Sequence, residues 1–176
     1  HVPTARSDGT EVAGAIADTV TRIRRNGARK KPVFAVTIGE EAEAVGRLAE
    51  RYRVPEPRVD LAQRVLADAS ASADVSDGLL ADAGRIAEAS GAGIDLDLDL
   101  IPLSTDASAW LAAEDARDGR LLLASAGDDY EIVFTAPPEV AVDWAVRVGR
   151  VRQGAGLRVF WRGAEVKPPR LGWRHP

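Results

Sequence analysis

Apolar residues recur along this chain with two different periods, and the switches between them predict interleaved helices and strands. Val12, Ile16, Val20 and Ile23 fall at helical spacing, and Asn26-Gly27 closes that amphipathic helix. Pro32 to Ile38 reads as a strand broken by Gly39. Glu41 to Tyr52 reads as a helix with Val45, Leu48 and Tyr52 inward. Pro55 and Pro57 form a rigid connection to a short helix over Asp60 to Ala69. A β-branched approach from Ser72 to Val75 then runs into Ser76-Asp77-Gly78. Beyond it Leu79, Leu80, Ala83, Ile86 and Ala87 share one helical face. Ser76 is the expected N-cap of that helix, and Ser90-Gly91 is its expected stop.

Ile94 to Leu100 alternates apolar residue and aspartate without a break, which predicts a strand with one apolar and one acidic face. Asp95, Asp97 and Asp99 on that face admit two readings: a comb of metal ligands, or a solvated strand face or edge blunted by charge. A helix follows over Asp106 to Ala113, then strands over Leu121 to Ala124 and Glu131 to Ala136. Pro137-Pro138 is expected to open a helix carrying Val142 and Val146. Val148 to Arg152 and Leu157 to Arg162 are expected to form a hairpin across Gly154-Ala155-Gly156. Strands interleaved with helices in this way indicate a mixed sheet covered by helices. Trp110, Trp144 and Trp161 are assigned to core or interface packing.

Composition narrows the chemistry. The chain has 176 residues, 45% of them apolar, which is enough for one domain with its own core. It contains no Met and begins at His1, so a processed chain or a fragment is expected. A net charge of −4 gives no electrostatic reason to expect nucleic acid. No apolar run approaches the ~20 residues of a membrane span. The absence of Cys excludes disulfides, thiolate nucleophiles and Cys-based zinc sites, and it fits a reducing compartment such as the cytoplasm. His1 and His175 sit at the two ends, which excludes a Ser-His-Asp triad or a multi-His metal centre. Carboxylates, Arg, hydroxyls and backbone remain, and they favour magnesium with oxygen ligands.

The stretch Asp74-Val75-Ser76-Asp77-Gly78-Leu79 carries the most chemistry. A strand running into a helix N-terminus is an anion site, because bare amides and the positive dipole end face outward. Here that site holds two carboxylates, Asp74 and Asp77, whose like charges repel unless a cation intervenes. Magnesium would reconcile the two signs, with the carboxylates holding the ion and the ion holding phosphate oxygens. The alternative is that both aspartates merely complement the helix dipole. A second acidic stretch, Gly127-Asp128-Asp129-Tyr130-Glu131, runs into the β-branched and aromatic Ile132 to Thr135.

Taken together these stretches resemble the carboxy-terminal half of the thiamine-monophosphate kinase family, within the aminoimidazole-ribonucleotide-synthase superfamily. That family reads Asp-x-Ser-Asp-Gly-Leu, Ser-Gly-x-Gly, Ile-Pro-Leu and Gly-Glu-Asp-Tyr-Glu-Leu in order. This chain has Asp74 to Leu79, Ser90 to Gly93, Ile101 to Leu103 and Gly127 to Ile132 in the same order. Arg51 to Val59 is also similar to the family. The resemblance covers residues 25–176 and leaves 1–24 as a separate helical segment.

The resemblance implies an α+β fold, a three-layer α/β/α sandwich with a mixed sheet. It further implies ATP-dependent phosphorylation of thiamine monophosphate to the diphosphate, with magnesium neutralising the phosphates and no protein nucleophile. Asp74 and Asp77 match magnesium ligands, and Ser76 matches a serine that contacts ATP. Asp82 either joins that set or bonds the preceding loop. Arg25 matches an arginine that contacts ATP, or serves as a cation at a helix C-terminus. Asp128 stands in place of a glutamate that faces the thiamine moiety, and Trp173 matches an aromatic that stacks on it. Two stretches depart from the family, Arg29-Lys30-Lys31-Pro32 and the shortened Val36-Thr37-Ile38-Gly39. The family's amino-terminal half, with its acidic Gly-Asp-Asp motif, is missing. Partners implied are thiamine monophosphate, that missing half and, when complete, a second copy in a homodimer; the alternative is a non-catalytic remnant module.

Overall fold

The computed structural model describes residues 32–35, 52–112 and 116–173. The helix expected over residues 12–25 and all but the end of that expected over 41–52 lie outside them. The elements are β1 (Pro32–Ala35), a 3-10 turn (Val59–Leu61), α1 (Ala62–Asp68), β2 (Ala71–Asp74), α2 (Leu79–Ala89), β3 (Gly93–Asp97), α3 (Thr105–Leu111), α4 (Ala116–Ser125), β4 (Ile132–Thr135), β5 (Val146–Arg152), β6 (Gly156–Trp161) and β7 (Ala164–Val166). The strands form one mixed sheet in the order β2-β4-β1-β5-β3-β6-β7. Among the described residues only the β3/β6 pair is parallel.

Alternation along the strands sorts side chains onto two faces. Ile94 and Leu96 of β3, with Val133, Val148 and Val159, bury against Leu79, Leu80, Ala83, Ile86 and Ala87 of α2. This is the helical face legible in the sequence. Ile132 and Phe134 of β4 point the other way, onto Val65 of α1 and onto Trp144. The Phe134 and Trp144 rings stack 4.8 Å apart, and the indole Nε1 donates to Asp68 Oδ2 at 2.9 Å. Helices on both faces make the three layers of an α/β/α sandwich. Trp110 and Trp161 are partly buried against core clusters, in keeping with a packing role.

Local chemistry fixes the ends of the elements. Gly91 is left-handed, its N–H donates to Glu88 C=O, and the Ala92 N–H donates to Ala87 C=O. That pair of bonds is a Schellman stop. Ser104 caps α3 by accepting from the Ala107 amide at 3.1 Å.

Five sequence expectations are corrected. Ser76 is not the N-cap of α2: Gly78 holds that place in an extended left-handed conformation, with no side-chain cap. Leu121 to Ala124 is helical, because the apolar run belongs to a longer helix opened by Ala116, and a run that short cannot declare its period. Pro137-Pro138 opens a single turn, closed by the Val140 N–H on Pro137 C=O at 3.1 Å, and the chain goes on to β5 instead of a helix. The strand from Ile94 stops at Asp97, where the Leu100 N–H turns back to Asp97 C=O. Last, β5 and β6 do not form a hairpin, since β3 lies between them and pairs with both.

That insertion explains Asp95. It lies on an interior strand, 4% exposed, and is neither solvated nor part of a metal comb. Arg150 Nε, Arg152 Nε and Arg158 Nε reach its oxygens at 3.1, 2.8 and 2.8 Å. Burial works against its charge, but the Arg158, Arg152 and Arg150 guanidinium groups outweigh it and hold the carboxyl below its usual range. A folded value below the unfolded one gives stability that is complete above about pH 4 and lost as pH falls through the folded value. Asp95→Asn is expected to cost about 2 kcal/mol at neutral pH. In urea unfolding the gap to the parent chain should shrink below about pH 4; a gap constant with pH would show that the charge is not what stabilises.

Candidate functional site

Antiparallel pairing of β2 with β4 sets Asp74 opposite Ile132, so the loop leaving β2 lies beside the loop entering β4. Three backbone bonds lock the two loops. The Val75 N–H donates to Glu131 C=O at 3.3 Å, the Tyr130 N–H to Val75 C=O at 3.1 Å, and the Asp128 N–H to Ser76 C=O at 2.9 Å. The next carbonyl, that of Asp77, accepts from the Trp173 N–H at 2.8 Å. The carboxy-terminal tail and the acidic loop are thereby bound to neighbouring carbonyls of one loop.

Glycine makes this packing possible. Gly78 has φ 116°, and a Cβ there would stand 2.6 Å from the Ala126 carbonyl oxygen. A Cβ on Gly127 would strike the Ser76 carbonyl oxygen. The acidic loop is itself bent, with φ 64° at Asp128 and 52° at Tyr130. Such backbone at a non-glycine residue persists only where its surroundings over-determine it. The Tyr130 hydroxyl donates to Asp128 Oδ1 at 3.4 Å. Burial, then the Asp128 carboxylate, raises the phenol above its ordinary range, so it stays protonated.

Asp74 and Asp128 are exposed, Ser76 is half-buried, Asp77 is 7% exposed and Trp173 is 59% exposed. The structure therefore gathers Asp74, Ser76, Asp77, Asp128 and the Trp173 backbone around one loop. Arg25 lies outside the described residues. The Asp77 carboxylate is paired with Arg85, which also pairs with Asp82. Asp82 Oδ2 accepts from the Asp77 N–H at 3.2 Å, so of the two roles weighed for Asp82 the structure shows the bond to the preceding loop. Burial raises the Asp82 carboxyl, against the pull of Arg85. The hydrogen bond to Asp77 helps lift the Arg85 guanidinium above its usual range.

Sequence reasoning missed Arg58 with Glu131, and Arg85. Arg58 Nε and Nη2 both donate to Glu131 Oε1, at 2.8 and 2.6 Å, with side chains 5% and 0% exposed. Burial lowers the Arg58 guanidinium, but the hydrogen bond and charge of Glu131 leave it raised. Seventy-three positions separate the two residues, so no local pattern could pair them. Arg85 stands three residues after Asp82, a spacing that by itself announces a helical ion pair.

Among the described residues no group of three or more His, Asp or Glu forms a metal cage. Magnesium keeps several waters and needs only one or two protein carboxylates, a donor set that the exposed Asp74 with Asp77 would supply.

Residues 32–162 match the family described as AIR synthase related protein, C-terminal domain. The chain belongs to this family. Over 150 residues it is 45% identical to a thiamine-monophosphate kinase of Caulobacter vibrioides, covering 78% of this chain and 42% of that protein. It is 34% identical over 133 residues to that of Aquifex aeolicus, covering 73% and 41%. The solved structure of AaThiL complexed with AMPPCP and TMP superposes with a TM-score of 0.71 at 29% identity, covering 87% of this chain and 54% of that one. The crystal structure of thiamine-monophosphate kinase from Stenotrophomonas maltophilia K279a gives 0.63 at 28%, covering 82% and 54%. The chain spans less than half the length of these curated relatives. The Asp74-Val75-Ser76-Asp77-Gly78 stretch lies at the β2–α2 turn within the matched residues.

Arg58→Ala is expected to cost about 3–5 kcal/mol, because it leaves the Glu131 carboxylate buried without its counter-charge. The double replacement Arg58→Met with Glu131→Leu should recover most of that loss in thermal unfolding. If the double variant were as unstable as the single one, the pair would be contributing more than charge compensation.

Proposed function

We propose that this chain supplies the carboxy-terminal wall of a site in which ATP phosphorylates thiamine monophosphate to thiamine diphosphate. The observation that carries this reading is the convergence of Asp74, Asp77, Asp128 and the tail at Trp173 on one loop at a helix N-terminus. The structural likeness to AaThiL complexed with AMPPCP and TMP supports it, since those ligands are an ATP analogue and the thiamine phosphate substrate.

In this reading Asp74 and Asp77 hold magnesium, which when bound neutralises the phosphate charge. Ser76 and the first-turn amides of α2 face ATP phosphates, where bare N–H groups and the positive helix end favour anions. Arg25 adds a guanidinium toward ATP. Asp128 places a carboxylate toward the cationic thiazolium, and the exposed Trp173 indole offers it a π face. The residues named are all positioning and electrostatic groups, as phosphoryl transfer demands, and none is a nucleophile. The site is completed by an amino-terminal half and by a homodimer partner. No helix of the described residues is long and apolar enough to cross a membrane. Because a sequence with no Cys suits a reducing compartment, we place the enzyme in the cytoplasm.

The 176-residue chain alone is expected to fold but not to make thiamine diphosphate from ATP; steady turnover by the pure chain would overturn the incomplete-site reading. Joined to an amino-terminal half, Trp173→Ala should raise KM for thiamine monophosphate about tenfold while leaving KM for ATP unchanged. Asp128→Asn should act in the same direction and Asp128→Glu should be tolerated. A Trp173→Ala enzyme impaired toward ATP alone would refute the substrate assignment.

A further inference from the structure

Asp77 and Asp82 bring two buried carboxylates to one turn, with side chains 10% and 3% exposed. Buried carboxylates of like sign need a counter-charge, and among the described residues the Arg85 guanidinium reaches both. Unlike the acids, the Arg85 side chain is 52% exposed. It also lines a cavity of about 640 Å³ with Ala81, Gly84, Leu171, Gly172 and Trp173. A cation so placed can leave one carboxylate for water without being buried elsewhere.

We propose that Arg85 is the resident counter-ion of the magnesium site: it neutralises Asp77 while no metal is bound and competes with the metal for that carboxylate. This inference rests on the assignment of Asp74 and Asp77 as magnesium ligands. Asp82 is what makes the exchange local. Its Oδ2 is anchored to the Asp77 amide and its Oδ1 holds Arg85 one helical turn away. When Asp77 turns to a metal, the guanidinium stays tethered to Asp82, and the cavity beside Trp173 gives it room to shift. Arg85 is thus a positioning residue: it holds the Asp77 carboxylate in the empty state and sets how strongly magnesium must bind to take it.

The test is calorimetric magnesium titration of the 176-residue chain, together with its melting temperature in chelator. Arg85→Gln should bind magnesium about fivefold more tightly, the gain expected from removing a partly exposed competing ion pair. The same variant should melt lower than the parent without metal and regain the difference when magnesium is added. Arg85→Lys keeps the charge but not the fork that spans two carboxylates, so its affinity should lie between; it carries the test if the Gln variant does not fold. Unchanged or weaker magnesium binding in Arg85→Gln or Arg85→Lys, with Asp77→Asn still weakening it, would overturn the counter-ion role and leave the metal site standing. Unchanged titration in both Asp74→Asn and Asp77→Asn would instead reject the metal site itself.

Discussion

Two successive carbonyls, those of Ser76 and Asp77, hold the candidate site together. One accepts the amide of Asp128 and the other the amide of Trp173, so a loop, a strand entrance and the tail meet at adjacent peptide groups. Hydrogen bonds of this kind contribute only about 1 kcal/mol each to net stability. Their importance is directional: they fix where the side chains of three distant segments point. The hydrophobic core below, where α2 lies on the sheet, is insensitive to direction and supplies the rigid frame. Neither would suffice alone, because a frame without the carbonyl contacts would leave the acidic loop and the tail unplaced.

Close approach of backbone at this junction excludes side chains. The extended left-handed backbone of Gly78 lets the chain leave β2 and enter α2 beneath the Ala126 carbonyl, and Gly127 allows the acidic loop to lie on Ser76. The price is a helix without a side-chain cap at its start. No side chain therefore occupies the start of α2, where the unpaired amides of a helix favour anions.

Four buried carboxylates meet three different arrangements of arginine. Asp95 is covered by three guanidinium groups across β5 and β6, Glu131 by the buried Arg58, and Asp77 and Asp82 together by the half-exposed Arg85. The first two lie within strand and loop frames and serve rigidity. The third lies at the site, where its cation remains in contact with water. Place in the fold, more than exposure of the arginine, separates them: Arg150 on Asp95 is 62% exposed and Arg85 52%, but only Arg85 lies beside the candidate metal ligands.

The period of apolar residues determined α2, its Schellman stop at Gly91 and the strand entering at Ile132, because each depends on neighbours within a few residues. The order of short motifs pointed to the family, since Asp74 to Leu79 and Gly127 to Ile132 retain their residue types and sequence. The sequence could not show that β3 lies between β5 and β6 or that Gly78 replaces Ser76 at the helix start, outcomes set by partners far along the chain. Leu121 to Ala124 is ambiguous for a local reason, since an apolar run that short does not declare its period. Asp95 reads as an exposed acid until two arginine-bearing strands flank it, and Arg58 and Glu131 become a pair only when the sheet brings them together. Local periodicity decides which elements form; strand order and burial decide which charges become partners, because Coulomb and hydrogen-bond energies depend on distance in space and not along the chain.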